Sequence, residues 1–361
     1  LVLCGLGGIL AGKHLAALTG TLHWRPGQAA VRLLVLLPTA WLLAVLLHEL
    51  GHALAGRSQG FRFHWLVVGP FRWEKQAGRL RFQWNTNLGA AGGMVLCVPT
   101  DGHNLRRRFM TFAAGGPLAS LLWAAVALGS YALLPASGKV HLLGGGLFMG
   151  GVMSAAIAFM TLIPTHMGGF YSDGARVLNM WRGGVASQFE IAVLAAVAHS
   201  VAGTRPRDLP LAQLEAAAAL PQELPFKLYI YHYLYLSALD AGHTGQAGRY
   251  LGEYRDRLAS LPVTLQAGGW LESAFFAAAY AHDLPAAQAF RAQAKLSSYT
   301  PADVLPRVEA ALARLAGDAE QARTQALVAL RELPKSLDQG SAHLYAEWLT
   351  DTVRWADTTD K

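Results

Sequence analysis

The stretch 31–55 sets the first constraint on this chain. It carries no charged residue except Arg32 and Glu49, and Glu49 sits in His48-Glu49-Leu50-Gly51-His52, directly after Leu42-Leu43-Ala44-Val45-Leu46-Leu47. A helix that crosses a bilayer needs about 20 mostly apolar residues. Three stretches meet that requirement: 31–55, 109–134 and 141–163. The third is rich in Gly and Ala, as helices that pack closely in lipid tend to be. Residues 1–20 are a weaker candidate span, interrupted by Lys13 and His14 and without a signal-peptide cleavage pattern.

Composition agrees. Hydrophobic residues are 53% of the 361 and charged residues 15%, against about 25% charged in soluble domains. The charge is uneven. Residues 1–200 hold 15 Lys/Arg and 5 Asp/Glu, and residues 201–361 hold 15 and 18. An apolar, basic front half followed by a mildly acidic, water-compatible half reads as a membrane domain (1–186) and a soluble domain (187–361). The basic residues flank apolar runs, so they suit lipid headgroups and argue against a nucleic-acid partner. Two cysteines, Cys4 and Cys97, exclude a disulfide framework and a cysteine-based metal site.

Loop charge predicts orientation. Arg57, Arg62, Arg72, Lys75, Arg79, Arg81 and Arg106 to Arg108 lie between the first two spans, whereas the loop between the second and third has only Lys139. Cytoplasmic loops carry the Lys/Arg excess, so 57–108 and the His-Glu cluster belong at the cytoplasmic side. The third span returns there, and Arg176 and Arg182 follow it.

Between the first two spans, Phe61-Arg62-Phe63-His64-Trp65 and Arg79-Leu80-Arg81-Phe82-Gln83-Trp84 alternate apolar and polar, with a turn at Gln76-Ala77-Gly78. This predicts a small hairpin with its Trp and Phe on one face, suited to a membrane interface or to packing on the protein itself. Residues 187–203 read as the first helix of the soluble part, with a fourth span as the alternative. Beyond Arg205-Pro206-Arg207 the pattern is helical. Gly242-His243 with Ala247, His282-Asp283 with Ala287, and Gly317-Asp318 with Ala322 form a weak repeat spaced 40 and 35 residues. Helix-turn-helix repeats have such periods. The expected fold is therefore mainly α: a multi-span bundle with a small hairpin, then a helical, tetratricopeptide-like or plain α-helical domain.

His48 and His52, four apart on a helix, lie one above the other on one face. Two imidazoles so placed share one metal ion, and the adjacent Glu49 reaches a water on that metal as catalytic base. Ionisable groups at membrane depth cost about 2.5–3.5 kcal/mol each at the helix centre and mark function. Zinc is the expected metal, one ion per chain. A catalytic zinc takes three protein ligands. The acidic residues of 1–200 are Glu49, Glu74, Asp101, Asp173 and Glu190. Asp173 follows the third span on the same side as the histidine pair and is the expected third ligand. His166 competes with it, and an Asp that merely caps the next helix is the structural alternative.

Taken together, His48-Glu49-Leu50-Gly51-His52, Gly115-Gly116-Pro117-Leu118-Ala119-Ser120 and the run from Leu162-Ile163-Pro164 to Asp173-Gly174 resemble the site-2 protease family of intramembrane metalloproteases. The likeness covers roughly residues 31–183. It implies zinc on His48, His52 and Asp173, catalysis by Glu49, and cleavage of peptide bonds in or next to the transmembrane segments of substrate proteins. The family often carries Asn shortly before the Pro, where this chain has Leu162-Ile163. The implied setting is a multi-pass protein of the bacterial inner membrane, with the soluble domain in the cytoplasm and available to a protein partner. A catalytically silent scaffold, a metal or proton transporter and a soluble zinc peptidase are the rival readings.

Overall fold

The computed structural model describes residues 26–76, 78–85, 92–139, 141–167, 170–224, 226–297 and 299–359. The weak span expected at 1–20 lies outside the described residues. Helices α1 (Pro26–Ser58), α2 (Leu105–Leu133) and α3 (Leu142–Leu162) coincide with the three expected spans. Each is long and apolar enough to cross a membrane. A fourth crossing arises only if α4 (Asp173–Arg182) and α5 (Val185–Val201), bent by 107°, count as one.

The three long helices pack together, and small residues set how closely. A Cβ at Gly51 would stand 2.4 Å from the Gly115 carbonyl oxygen, and one at Gly115 would stand 2.5 Å from that of Gly51. The α1–α2 crossing is thus backbone against backbone, the contact that small-residue pairs permit. On the outside of the bundle Leu34, Leu118, Leu122, Leu133, Phe159 and Met160 are 62–88% exposed.

Between α1 and α2 lies an antiparallel sheet of four strands, β1 (Phe61–Val68), β2 (Phe71–Gln76), β3 (Arg79–Trp84) and β4 (Met94–Pro99), in the order β3-β2-β1-β4. The expected strands at 61–65 and 79–84 are β1 and β3, but β2 lies between them and pairs with both, so the expected hairpin is corrected to a four-stranded sheet. The β2 and β3 rings Phe71, Trp73, Phe82 and Trp84 lie 5.4–6.2 Å apart on one side, with Phe82 and Trp84 exposed. Strand β1 departs from simple alternation. Phe63 pairs with Cys97 and Trp65 with Leu96, so two steps on β1 oppose one on β4. This bulge at His64 lets Phe61 and Phe63 share a side with Leu66 and Val68, and it moves Trp65 to the opposite side. The expectation that Trp65 shares the Phe face is corrected by that extra residue. Leu66 and Val68 pack on Val45 of α1, while Phe61 and Cys97 join Phe109, Phe112 and Met180. Trp65 instead meets the C-terminal half: its ring lies 5.7 Å from Tyr299, and Arg72 lies 5.1 Å over that same tyrosine.

The remaining helices of eight residues or more are α6 (Leu211–Ala218), α7 (Lys227–Asp240), α8 (Thr244–Asp256), α9 (Ala267–Ala279), α10 (Leu284–Gln293), α11 (Val304–Ala316), α12 (Ala319–Glu332) and α13 (Gln339–Thr359). The three repeat signals fall at the turns α7–α8, α9–α10 and α11–α12. Each turn holds one positive φ, at Gly242 (80°), His282 (52°) and Gly317 (81°). Ala247, Ala287 and Ala322, one per following helix, are fully buried. Asp283 and Asp318 cap their helices by accepting from Ala286 N and Gln321 N, both at 3.0 Å. The core of this half also takes in Phe189, Val193 and Ala196 of α5. The neighbouring Ile191 and Leu194 pack toward Phe109 and Met180. Helix α5 therefore belongs to both halves.

Candidate metal centre

Helix α1 carries His48 and His52 one turn apart, buried on the side facing α2. Their Nε2 atoms are 3.3 Å from each other. Asp173 Oδ2 lies 3.2 Å from His48 Nε2 and 3.3 Å from His52 Nε2. A tetrahedral zinc with bonds of about 2.0–2.1 Å separates its ligand atoms by about 3.3 Å. The three atoms present form nearly that triangle, so the donor set fits a zinc ion. Among the described residues it is the only group of three His, Cys, Asp or Glu side chains placed to hold a metal.

Each imidazole is oriented from α2. His48 Nδ1 lies 2.9 Å from the buried Ser120 hydroxyl, and His52 Nδ1 lies 2.8 Å from the Phe112 carbonyl oxygen. The Phe112 carbonyl can only accept, so His52 donates from Nδ1; with Ser120 accepting from His48 in the same way, both Nε2 lone pairs face the metal position, the usual outer partnership of ligating histidines. Gly116 makes room for the second ring: a Cβ there would stand 2.2 Å from His52 Nε2.

Asp173 arrives from the other side. Ser172, not Asp173, caps α4, accepting from Ala175 N at 3.2 Å and donating to the Ile163 carbonyl at 2.7 Å. A Cβ at Gly174 would fall 1.9 Å from the Leu162 carbonyl oxygen. The Asp-Gly pair is therefore a fit between the start of α4 and the end of α3. Arg106 holds the other end of α4, donating to the Met180 and Trp181 carbonyls at 2.5 and 2.8 Å.

The other acidic residues are engaged elsewhere. Glu74 pairs with Arg72 at 3.0 Å, Asp101 with Arg108 at 2.7 Å, and Glu190 with Arg176 at 3.6 Å. His166 is exposed and stands outside the triangle. Cys97, the cysteine among the described residues, also stands outside the triangle; burial, with Glu49 adding to it, pushes its thiol up to about 12.

Glu49 shares with the three ligands a cavity of about 540 Å3, walled further by Gly93, Met94 and Val95 at the start of β4 and by Tyr171 and Arg176. A Cβ at Gly93 would stand 2.8 Å from Glu49 Oε1, so the strand approaches the carboxylate closely. Within the described residues β4 is an edge of the sheet. The arrangement combines a three-ligand metal position and a neighbouring carboxylate in one cavity, with the start of β4 in its wall. The sequence reading named Ser120 only as a motif residue, without its bond to His48, and Phe112, Gly93 and β4 escaped it. Only Ser120 had a signal, as the small residue after Gly116. Comparison with protein-family models, curated proteins and solved structures finds no match.

Proposed function

We propose that the chain is an intramembrane zinc metalloprotease of the site-2 protease type, hydrolysing peptide bonds in or next to transmembrane segments of other proteins. The observation that carries this reading is the 3.2–3.3 Å triangle of His48, His52 and Asp173 with Glu49 in the same cavity. The three apolar helices and their exposed outward leucines support a bilayer setting. A scaffold has no use for Glu49, and a transporter would spread its polar groups along several helices near the midplane.

A bound zinc supplies Lewis-acid polarisation of the scissile carbonyl and acidifies the attacking water. His48 and His52, fixed by Ser120 and the Phe112 carbonyl, hold it with Asp173. A substrate helix hides its carbonyls, so the segment to be cut must unwind. Edge strand β4 offers such a segment main-chain pairing beside the metal centre, as added strands do elsewhere. Glu49 takes a proton from the water as its oxygen bonds to the carbonyl carbon. It then delivers that proton to the departing amide nitrogen as the C–N bond breaks. The weak repeat and the matching turns support a tetratricopeptide-like C-terminal domain, to which we assign a protein partner, and the loop charges favour a cytoplasmic position for it.

The test pairs metal content with cleavage of single-span substrates by the purified protein and Glu49→Gln. One zinc in both proteins, with cleavage lowered about 10²–10⁴-fold in the variant, is the expected result. Absence of zinc from both after zinc is supplied refutes the reading.

A further inference from the structure

A second cavity, of about 260 Å3, lies within the C-terminal helices, between α7, α8, α9, α11 and the start of α13. Its charges do not balance. Arg307 is 1% exposed and meets Glu272 at 2.5 and 3.3 Å. Glu272 also accepts from the Tyr235 and Tyr345 hydroxyls at 3.2 and 3.0 Å. Burial pushes the Glu272 carboxyl up, but Arg307 outweighs it and holds the group below its ordinary value. This pair is closed and neutral.

Asp303 and Asp338 are left over. Asp303 is 4% exposed, and among the described residues no other residue donates a hydrogen bond to its carboxylate. Asp338 accepts from the Ser200 hydroxyl and from Ser341 N. No Lys or Arg among the described residues forms an ion pair with either carboxylate. Both line the cavity together with Glu272 and His232, so three carboxylates face one guanidinium there; Arg307 also acts on Asp303, but burial outweighs it and pushes the Asp303 carboxyl up. Taking a charge out of water without a partner is costly. The remaining walls include the rings of Tyr229, Tyr254 and Tyr299, whose faces attract cations.

The carboxylates of this cavity do not form a three-ligand metal group. Among the described residues only the His48, His52 and Asp173 group brings three ligating atoms together. A longer organic cation suits two separate carboxylates better. The volume falls just below the range of about 300–1,000 Å3 typical of small-molecule sites, so the ligand is small. We propose that this cavity binds a short aliphatic diamine, one ammonium group on each of Asp303 and Asp338, with its methylenes against the tyrosine rings. Tyr299 is shared with the sheet through Trp65 and Arg72, so the ligand would lie one side chain away from the strands that lead to β4.

Calorimetric titration of the full chain in detergent tests this, with putrescine as probe and 1,4-butanediol and magnesium chloride as controls. Saturable one-to-one binding of putrescine alone is expected, weakened at least about tenfold by Asp303→Asn. If that variant does not fold, Asp338→Asn carries the same expectation. Equal binding of butanediol, undiminished binding by the variants, or no saturable binding of putrescine up to about 10 mM overturns the proposal.

Discussion

Replacing Gly116 by Ala adds one carbon where the structure has no space for it. The new Cβ would lie 2.2 Å from His52 Nε2 and 2.6 and 2.7 Å from Cδ2 and Cε1 of the same ring. Ordinary contact between such atoms needs about 3.5 Å, so the ring must retreat by about 1 Å or α2 must withdraw from α1. Metal–ligand bonds tolerate about 0.2 Å. His52 would leave the triangle, and zinc affinity should fall by at least the 10–100-fold, or about two orders of magnitude at its upper end, that loss of an orienting partner costs. Stability should fall as well, because forcing a carbon into a packed site costs about 1–3 kcal/mol, more than the about 0.5–1 kcal/mol by which Ala is favoured over Gly in a helix interior. Gly129→Ala on the same helix, where a Cβ meets nothing within 4 Å, is the control. Zinc retained by purified protein after dialysis against graded chelator is the assay, with helicity followed by circular dichroism. A well-folded Gly116→Ala that resists chelator as wild type does would refute the reasoning.

Gly93→Ala places a Cβ 2.8 Å from Glu49 Oε1 and at a φ of 109°; cleavage should drop about 10²-fold from misplacement of the base with zinc content unchanged, read by single-turnover kinetics and metal analysis. Arg307→Ala leaves Glu272 buried without its counter-charge and should cost about 3–5 kcal/mol of stability, measured by denaturant unfolding. His64 is held at about 4, by burial first and then by Arg62 and Lys75. Its folded value lies below the ordinary 6.5, so it binds its proton less readily folded than unfolded. Stability is then lost as pH falls from about 6.5 through about 4. His64→Gln should flatten that part of a melting-temperature profile, and an unchanged slope would rule His64 out as its source.

Much of this architecture could be read from residue order because it rests on local pattern. The three apolar helices, the one-turn spacing of His48 and His52, and the turns at Gly242, His282 and Gly317 all repeat at helical or turn distances. Asp173 was reachable because chain direction and loop charge put it on the right side. What escaped depends on contacts distant in sequence. Strand β4, Met94-Val95-Leu96-Cys97-Val98-Pro99, is a short unbroken apolar run, and periodicity cannot tell such a run from a helix fragment. The partners of the imidazoles, Ser120 and the Phe112 carbonyl, are brought in by the α1–α2 crossing. Arg106 and Arg108 read as topology signals, yet they also clasp helix ends, at the Met180 and Gln59 carbonyls. The unbalanced cavity needs five helices to assemble before its charges meet.

The bulge at His64 has a meaning for insertions and deletions. Because the surplus residue is absorbed between Phe63 and Trp65, those two pair with the adjacent Cys97 and Leu96 and so take opposite sides of the sheet. Excising His64 would leave them consecutive on the same partners, so Trp65 would keep its place beside Tyr299, and His48, Glu49, His52 and Asp173 would be untouched. A one-residue deletion is therefore absorbed at this position, whereas one inside the regular pairing from Leu66 to Val68 would turn every residue beyond it to the other face.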